Sequence, residues 1–279
     1  GDGGGTAQNG VLESGEVDYT TTYCSKYVIW QVDDLYNGTV NSYLGMYMEI
    51  LVGDTLYFSA SGGSSGHELW AHDTSNSSTW QVADINSGSG YGSNPGNYME
   101  ILVGDTLYFS ATDGSGYELW AHDTSNSSTW QVADINSGSS SLPGDYMAIL
   151  VGDTLYFDAY DSSGTELWAH DTSNSSTWQV ADINSGGSSN PGYYMEILVG
   201  DTLYFSANDG SSGHELWAHD TSNSSTWQVA DINSGSGYGS YPGQYMEILV
   251  GDTLYFSATD GSSGTELWAL DIEHSITYD

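Results

Sequence analysis

Between Tyr98 and Val103 apolar and polar positions alternate, with Met99, Ile101 and Val103 on one side, and after Gly104-Asp105 a second run extends from Thr106 to Ala111. A period of two puts successive side chains on opposite faces of a strand, and a Gly-Asp pair between two such runs predicts a tight hairpin. After a turn at Asp113 to Gly116, the stretches Glu118 to His122 and Thr129 to Ile135 predict two more strands, joined by the polar loop Thr124 to Ser128. Asn136 to Gly144 is rich in Ser, Gly and Pro and predicts a longer loop.

This unit recurs. The phrase ELWAHDTSNSSTWQVADINSG starts at Glu68, Glu118, Glu166 and Glu215, and a diverged ELWALD starts at Glu266, at spacings of 50, 48, 49 and 51 residues. Four short strands, A to D, in a repeat near 50 residues predict the blade of a β-propeller. Each unit has one Trp on strand C and one on strand D: Trp70/Trp80, Trp120/Trp130, Trp168/Trp178 and Trp217/Trp227. Trp268, on a C-terminal strand C, and Trp30, in an N-terminal WQVDDL that matches WQVADI, form the fifth pair. The expected fold is therefore all-β, a five-bladed propeller of four-stranded antiparallel blades. Its last blade uses residues 245–270 for A to C and residues 27–35 for an outer strand D that closes the ring and protects the edges. A competing reading pairs residues 27–35 with the next molecule in a strand-swapped chain. Residues 1–26 form a Gly-rich tail, a possible docking segment, and residues 27–279 form the propeller.

Charge narrows the partners. The chain has 279 residues, with 37 Asp and Glu against a single basic residue, Lys26, giving a net charge of -36. Phosphate backbones and anionic headgroups are held by Lys and Arg, so nucleic acids and anionic membranes are excluded as partners. With 22 Tyr and 10 Trp, the chain is too aromatic for a disordered acidic tail. The lone Cys24 forms no intramolecular disulfide and reads as a small apolar residue. No run reaches the roughly 20 apolar residues that span a bilayer, and Gly1 to Gly5 is not a secretory signal. A surface almost without cations suits salty or calcium-rich surroundings, where short Debye lengths quench self-repulsion. The expected location is extracellular or at the cell surface.

The stretch LYFSATDGSSGTELW, from Leu254 to Trp268, together with VADINSG and NPG, resembles the repeat family of secreted bacterial and archaeal proteins named for its ELW-x-x-DGT motif. The family's DGT is DTS here, as at Asp123-Thr124-Ser125. The resemblance implies a secreted propeller-like protein and no reaction.

A propeller gathers the D-to-A and B-to-C connections on one face and the A-to-B and C-to-D turns on the other. The latter are uniform, with Val-Gly-Asp-Thr and Asp-Thr-Ser-Asn-Ser-Ser-Thr repeated. The former vary, and carry the candidate partner-face residues Tyr91, Leu142, Tyr193, Tyr238 and Tyr241. The uniform face offers glycosylation sequons at Asn76, Asn126, Asn174 and Asn223, with a fifth at Asn37 in the N-terminal D-to-A loop. Asp84/Asn86, Asp134/Asn136, Asp182/Asn184 and Asp231/Asn233 place two oxygen ligands at i and i+2 before Gly, a fragment of a Ca2+-loop pattern. An Asx turn explains the same residues. His72, His122, His170 and His219 lie on strand C, too far from the axis to share a metal, and are expected to pack beside Trp. Glu49, Glu100, Glu196 and Glu247 fall on innermost strand A, where Ala148 breaks the row.

No nucleophile elbow, HExxH or P-loop occurs, so no catalytic residue or cofactor beyond Ca2+ is expected, and the chain is expected not to be an enzyme. The expected function is an extracellular structural or adhesive surface protein, with self-assembly into a filament or layer as its specific form. The alternative is a multivalent glycan-binding lectin. Its partners would be further copies, or a surface protein or glycan.

Overall fold

The computed structural model describes residues 29–36, 40–63, 66–88, 90–235 and 237–272. It divides into two units, residues 1–34 and 35–279. The tail 1–26, the start of the expected closing strand at Tyr27 and Val28, and the sequon Asn37 lie outside the described residues. In the first unit, Ile29 to Asp34 form no strand, and their side chains are exposed. Their hydrogen bonds are local: Gln31 Nε2 donates to the Asp33 carbonyl at 3.2 Å, and the Asp34 N–H donates to Asp33 Oδ1 at 2.8 Å.

In the second unit every strand belongs to one of five antiparallel sheets. Sheet 1 is β1 (Glu49–Val52), β2 (Thr55–Ser61), β3 (His67–Asp73) and β4 (Ser78–Ala83). Sheet 2 is β5 (Glu100–Val103), β6 (Thr106–Thr112), β7 (Tyr117–Asp123) and β8 (Ser128–Ala133). Sheet 3 is β9 (Ala148–Val151), β10 (Thr154–Asp161), β11 (Gly164–Asp171) and β12 (Ser176–Ala181). Sheet 4 is β13 (Glu196–Val199), β14 (Thr202–Asn208), β15 (His214–Asp220) and β16 (Ser225–Ala230). Among the described residues sheet 5 has three strands, β17 (Glu247–Val250), β18 (Thr253–Thr259) and β19 (Thr265–Asp271). Within each sheet the strands lie side by side in sequence order.

Local chemistry accounts for the pattern. Val52 pairs with Thr55, leaving Gly53-Asp54 as a two-residue turn. Gly53 sits at φ 60°, the left-handed conformation that the first central position of a type II′ turn requires and that glycine adopts without steric cost. Strands C and D carry a bulge. Leu69 pairs with Ala83 but Trp70 with Gln81, so Val82 is the extra residue and the edge twists more strongly. The same irregularity recurs at Leu119/Trp120, Leu167/Trp168 and Leu216/Trp217.

The core lies between sheets. Met48, Tyr57, Leu69 and Ala71 of sheet 1 meet Leu107, Phe109 and Ala111 of sheet 2, all buried. Equivalent residues join sheet 2 to 3, 3 to 4 and 4 to 5. The period of two explains this: in β6, Leu107, Phe109 and Ala111 face back to sheet 1, while Tyr108 faces forward to sheet 3. Burying each Phe or Leu contributes roughly 1.5–3 kcal/mol, so each added sheet is held mainly by its neighbour.

Candidate functional site

The loop that leads from one sheet to the next is held by a buried carboxylate. Glu68 is fully buried, and accepts hydrogen bonds from the Ile85 N–H at 2.9 Å, the Ser93 N–H at 2.9 Å and Ser93 Oγ at 2.7 Å. Glu118 holds Ile135 and Ser141 in the same way, Glu166 holds Ile183 and Ser189, and Glu215 holds Ile232 and Ser240. Burial raises the pKa of each carboxyl, and the hydrogen bonds pull against that rise. Sequence reasoning missed this element. Its signal was legible, since a Glu opens every ELW and a Ser stands three residues before Gly96, Gly144, Gly192 and Gly243.

The two ends of the array differ from its interior. Met48, Met99, Met147 and Met195 are at most 3% exposed, but Met246, their counterpart in sheet 5, is 40% exposed. Leu69, Leu119, Leu167 and Leu216 are buried, whereas Leu267 is 65% exposed. Ile248 and Val250 are open as well. At the other end Leu56 is 36% exposed, against at most 1% for Leu107, Leu155, Leu203 and Leu254, and Leu51 is open beside it. Glu266 is exposed and, among the described residues, receives none of the bonds that its four counterparts accept. The molecule therefore presents an open apolar face on sheet 5 and, on sheet 1, open apolar groups at Leu51 and Leu56 beside the buried Phe58 and Ala60.

Two of the variable loops line cavities. A cavity of about 580 Å³ is lined by Asn86, Tyr91 and Asn94 of a D-to-A loop, His67, and Thr112 and Gly114 of the next sheet. A second, of about 550 Å³, is lined by the equivalent Asn233, Tyr238 and Tyr241 with Thr259 and Asp260. Tyr91 and Tyr238 are 75% and 71% exposed over these cavities. Nδ1 of His67 and of His214 is buried without a hydrogen-bond partner, and burial lowers the His214 pKa to about 4. Tyr193 is half exposed and packs against Tyr146, Tyr194 and His214. Leu142 and Tyr241 are partly buried at φ 50° and 52°, in the left-handed region just before a proline.

The other expected residues also have definite places. Asn76, Asn126, Asn174 and Asn223 sit on exposed C-to-D turns, and each Nδ2 donates to the preceding Asp at 2.6–2.7 Å. A glycan would replace one of the two Nδ2 hydrogens. Hydrogen bonds from Ser75 and Asn76 lower the Asp73 pKa, and the other three turns behave alike. The paired residues of the Asp-x-Asn fragments part company. Asp84, Asp134, Asp182 and Asp231 are exposed, while Asn86, Asn136, Asn184 and Asn233 turn inward and donate to loop carbonyls at 3.0–3.4 Å. Among the described residues, no group of three or more His, Cys, Asp or Glu is placed to hold a metal. His122, His170 and His219 pack against Tyr57, Tyr108 and Tyr156 of the preceding sheet at 5.3–5.4 Å between ring centroids. Each Nδ1 also meets a Thr hydroxyl of strand D at 2.8 Å. On strand A, Glu100 Oε2 accepts the Glu49 N–H of the neighbouring sheet at 3.1 Å. Burial, with the nearby Glu247 carboxylate, pushes the Glu196 pKa up to about 7.

These sheets and their packing place the molecule among propeller-type proteins. No family model matches the sequence, and no curated protein matches it significantly. Among solved structures it is similar to prolyl endopeptidases at TM-score 0.50 and 13% identity, over 80% of this chain and 34% of theirs. It is also similar to the nidogen/laminin complex (TM-score 0.41, 13% identity, 82% of this chain and 75% of that one). An oligogalacturonate lyase in complex with manganese gives TM-score 0.46 at 11% identity, over 80% of this chain and 63% of that one. At such identities the likeness shows the fold alone. It corrects the expectation that the chain is not an enzyme. A prolyl endopeptidase structure shares the fold, so missing motifs do not exclude catalysis on this scaffold.

Proposed function

We propose that this chain is an extracellular structural or adhesive surface protein that works by self-association, as the subunit of a filament or layer. In finer detail the five-bladed propeller is completed in the assembly, where the fifth blade gains residues 27–35, which carry the WQVDDL phrase, as its outer strand. The carrying observation is the open apolar face of sheet 5, with Met246, Ile248, Val250 and Leu267, together with the open Leu51 and Leu56 on sheet 1. Exposed apolar patches of this kind, each matching a face buried inside the same molecule, mark an interaction surface. The acidic surface, the exposed sequons and the resemblance to secreted ELW-repeat proteins support the location and the family.

A second reading, a lectin, is favoured by the twin cavities under Tyr91 and Tyr238. Each sets an aromatic face beside an Asn amide, groups that stack on and hydrogen-bond to a neutral sugar. One experiment separates the two. Leu267→Asp should abolish assemblies seen by light scattering and negative-stain microscopy while leaving the melting temperature of the single chain nearly unchanged, because Leu267 is exposed there. Tyr91→Ser with Tyr238→Ser should leave assembly intact and remove any binding to immobilised oligosaccharides. Undiminished assembly of Leu267→Asp would overturn the structural reading.

A further inference from the structure

We propose that the open face of sheet 5 is completed by a second copy of this chain, whose residues 29–35 add as the fourth strand beside β19 and whose sheet 1 packs as the next blade. The inference rests on the assembly reading above and names its partner.

Three kinds of chemistry are left half-made at the ends, and the halves match. The first is apolar. Met246, Leu267 and Ala269 lack the row of Leu, Phe and Ala that covers their counterparts, and the exposed Leu56 opens such a row, in which Phe58 and Ala60 are already buried. The second is polar. Glu266 lacks the N–H and Ser donors that Glu68 finds in Ile85 and Ser93. By repeat alignment those donors are Leu35 and Ser42. Ser42 is only partly buried, whereas Ser93, Ser141, Ser189 and Ser240 are at most 1% exposed. Ser42 is already seated, because its carbonyl accepts the Ser61 N–H at 2.8 Å just as the Ser93 carbonyl accepts the Thr112 N–H at 3.0 Å. The third is aromatic. Three Tyr–His contacts join successive sheets, and Tyr255 and His72, both only partly buried, are the two ends without one.

Chain length agrees. Trp80 precedes Glu100 by 20 residues, and Trp30 precedes Glu49 by 19. The N-terminal segment therefore stands in the sequence where a strand D precedes sheet 1. Among the described residues no core cluster joins sheets 5 and 1; sheet 5 stands open, and sheet 1 is open at Leu51 and Leu56. Trp30 is 70% exposed in a separate unit. The surface with the matching chemistry is sheet 5 of another copy. Such a head-to-tail contact is heterologous, and repeats until the rotation closes a ring or a filament grows.

The interior register fixes the new pairing. Ala71 faces Trp80 and His72 faces Thr79, so Ala269 faces Trp30 and Leu270 faces Ile29. Adjacent antiparallel pairs alternate in spacing, so one of these two is the close kind suited to a disulfide. The test uses full-length chains with Cys24→Ser throughout. Trp30→Cys chains are mixed with Ala269→Cys chains, and separately Ile29→Cys with Leu270→Cys, a pair that keeps Trp30. The expected result under mild oxidation is a disulfide-linked dimer in at least one mixture, and a ladder of oligomers from the corresponding double variant. A double variant that closes only an internal disulfide and stays monomeric overturns the second copy while keeping the strand pairing. No disulfide in any combination, with assemblies still visible by microscopy, overturns the strand and leaves the assembly reading standing. Absence of assemblies from the parent chain sinks that reading itself.

Discussion

Asp158 stands where the other four sheets have Ser59, Ser110, Ser206 and Ser257. All five are buried and do the same work: Ser59 Oγ accepts the Tyr47 N–H at 2.9 Å, and Asp158 Oδ1 accepts those of Tyr146 and Met147 at 2.9 and 3.0 Å. The second carboxyl oxygen of Asp158 has no partner, and burial pushes its pKa up to about 7. A folded-state pKa above the unfolded one means that the folded chain holds the proton more tightly. Stability is therefore full below the unfolded value near pH 4 and falls as pH rises to about 7. The loss is on the order of 4 kcal/mol for a shift of this size. Asp158→Ser should accordingly raise the melting temperature at pH 8 and change it little at pH 4. Thermal melts at the two pH values check this, and an equal effect at both would refute it. The substitution is visible in the sequence, but its cost is not, because only packing shows that the position excludes water.

At the scale of the element, the strands and hairpins were legible because they follow from local rules. Alternation at Met99, Ile101 and Val103 and the Gly-Asp turns specify β5, β6 and their register without help from distant residues. The carboxylate that locks each loop was not legible in kind, since its partners lie 17 to 25 residues away. Glu215→Ala would leave the N–H groups of Ile232 and Ser240 buried without an acceptor, each such loss costing about 1–3 kcal/mol. We expect a clear drop in melting temperature for Glu215→Ala and none for Glu266→Ala in the unassembled chain, because Glu266 is exposed and makes no such bonds there. Equal losses in the two variants, measured by circular dichroism melts, would contradict the role assigned to the lock.

At the scale of the whole molecule, a net charge of -36 with one basic residue sets carboxylate repulsion against every contact between copies. At about 0.15 M salt the Debye length is roughly 8 Å, and at 1 M roughly 3 Å, so salt weakens that repulsion while leaving apolar contact intact. Assembly should increase from dilute buffer to molar NaCl, and Leu267→Asp should stay dispersed at both. Light scattering across the series measures it, and dissociation on adding salt would show that the contact is ionic rather than apolar.

The sequence by itself determined the strands, their order within each sheet, the five-fold repetition and the division into uniform and variable loops. Each of these depends on residues close together in the chain, where side-chain period and turn chemistry act directly. Only the tertiary structure decided which residues are complete and which are half-made. Leu267 and Leu69 stand in the same phrase, as do Glu266 and Glu68, yet one of each pair is buried and the other open. Repeats make sequence blind to this difference, because burial is a property of the neighbouring sheet, and a terminal repeat differs from an interior one only in lacking that neighbour.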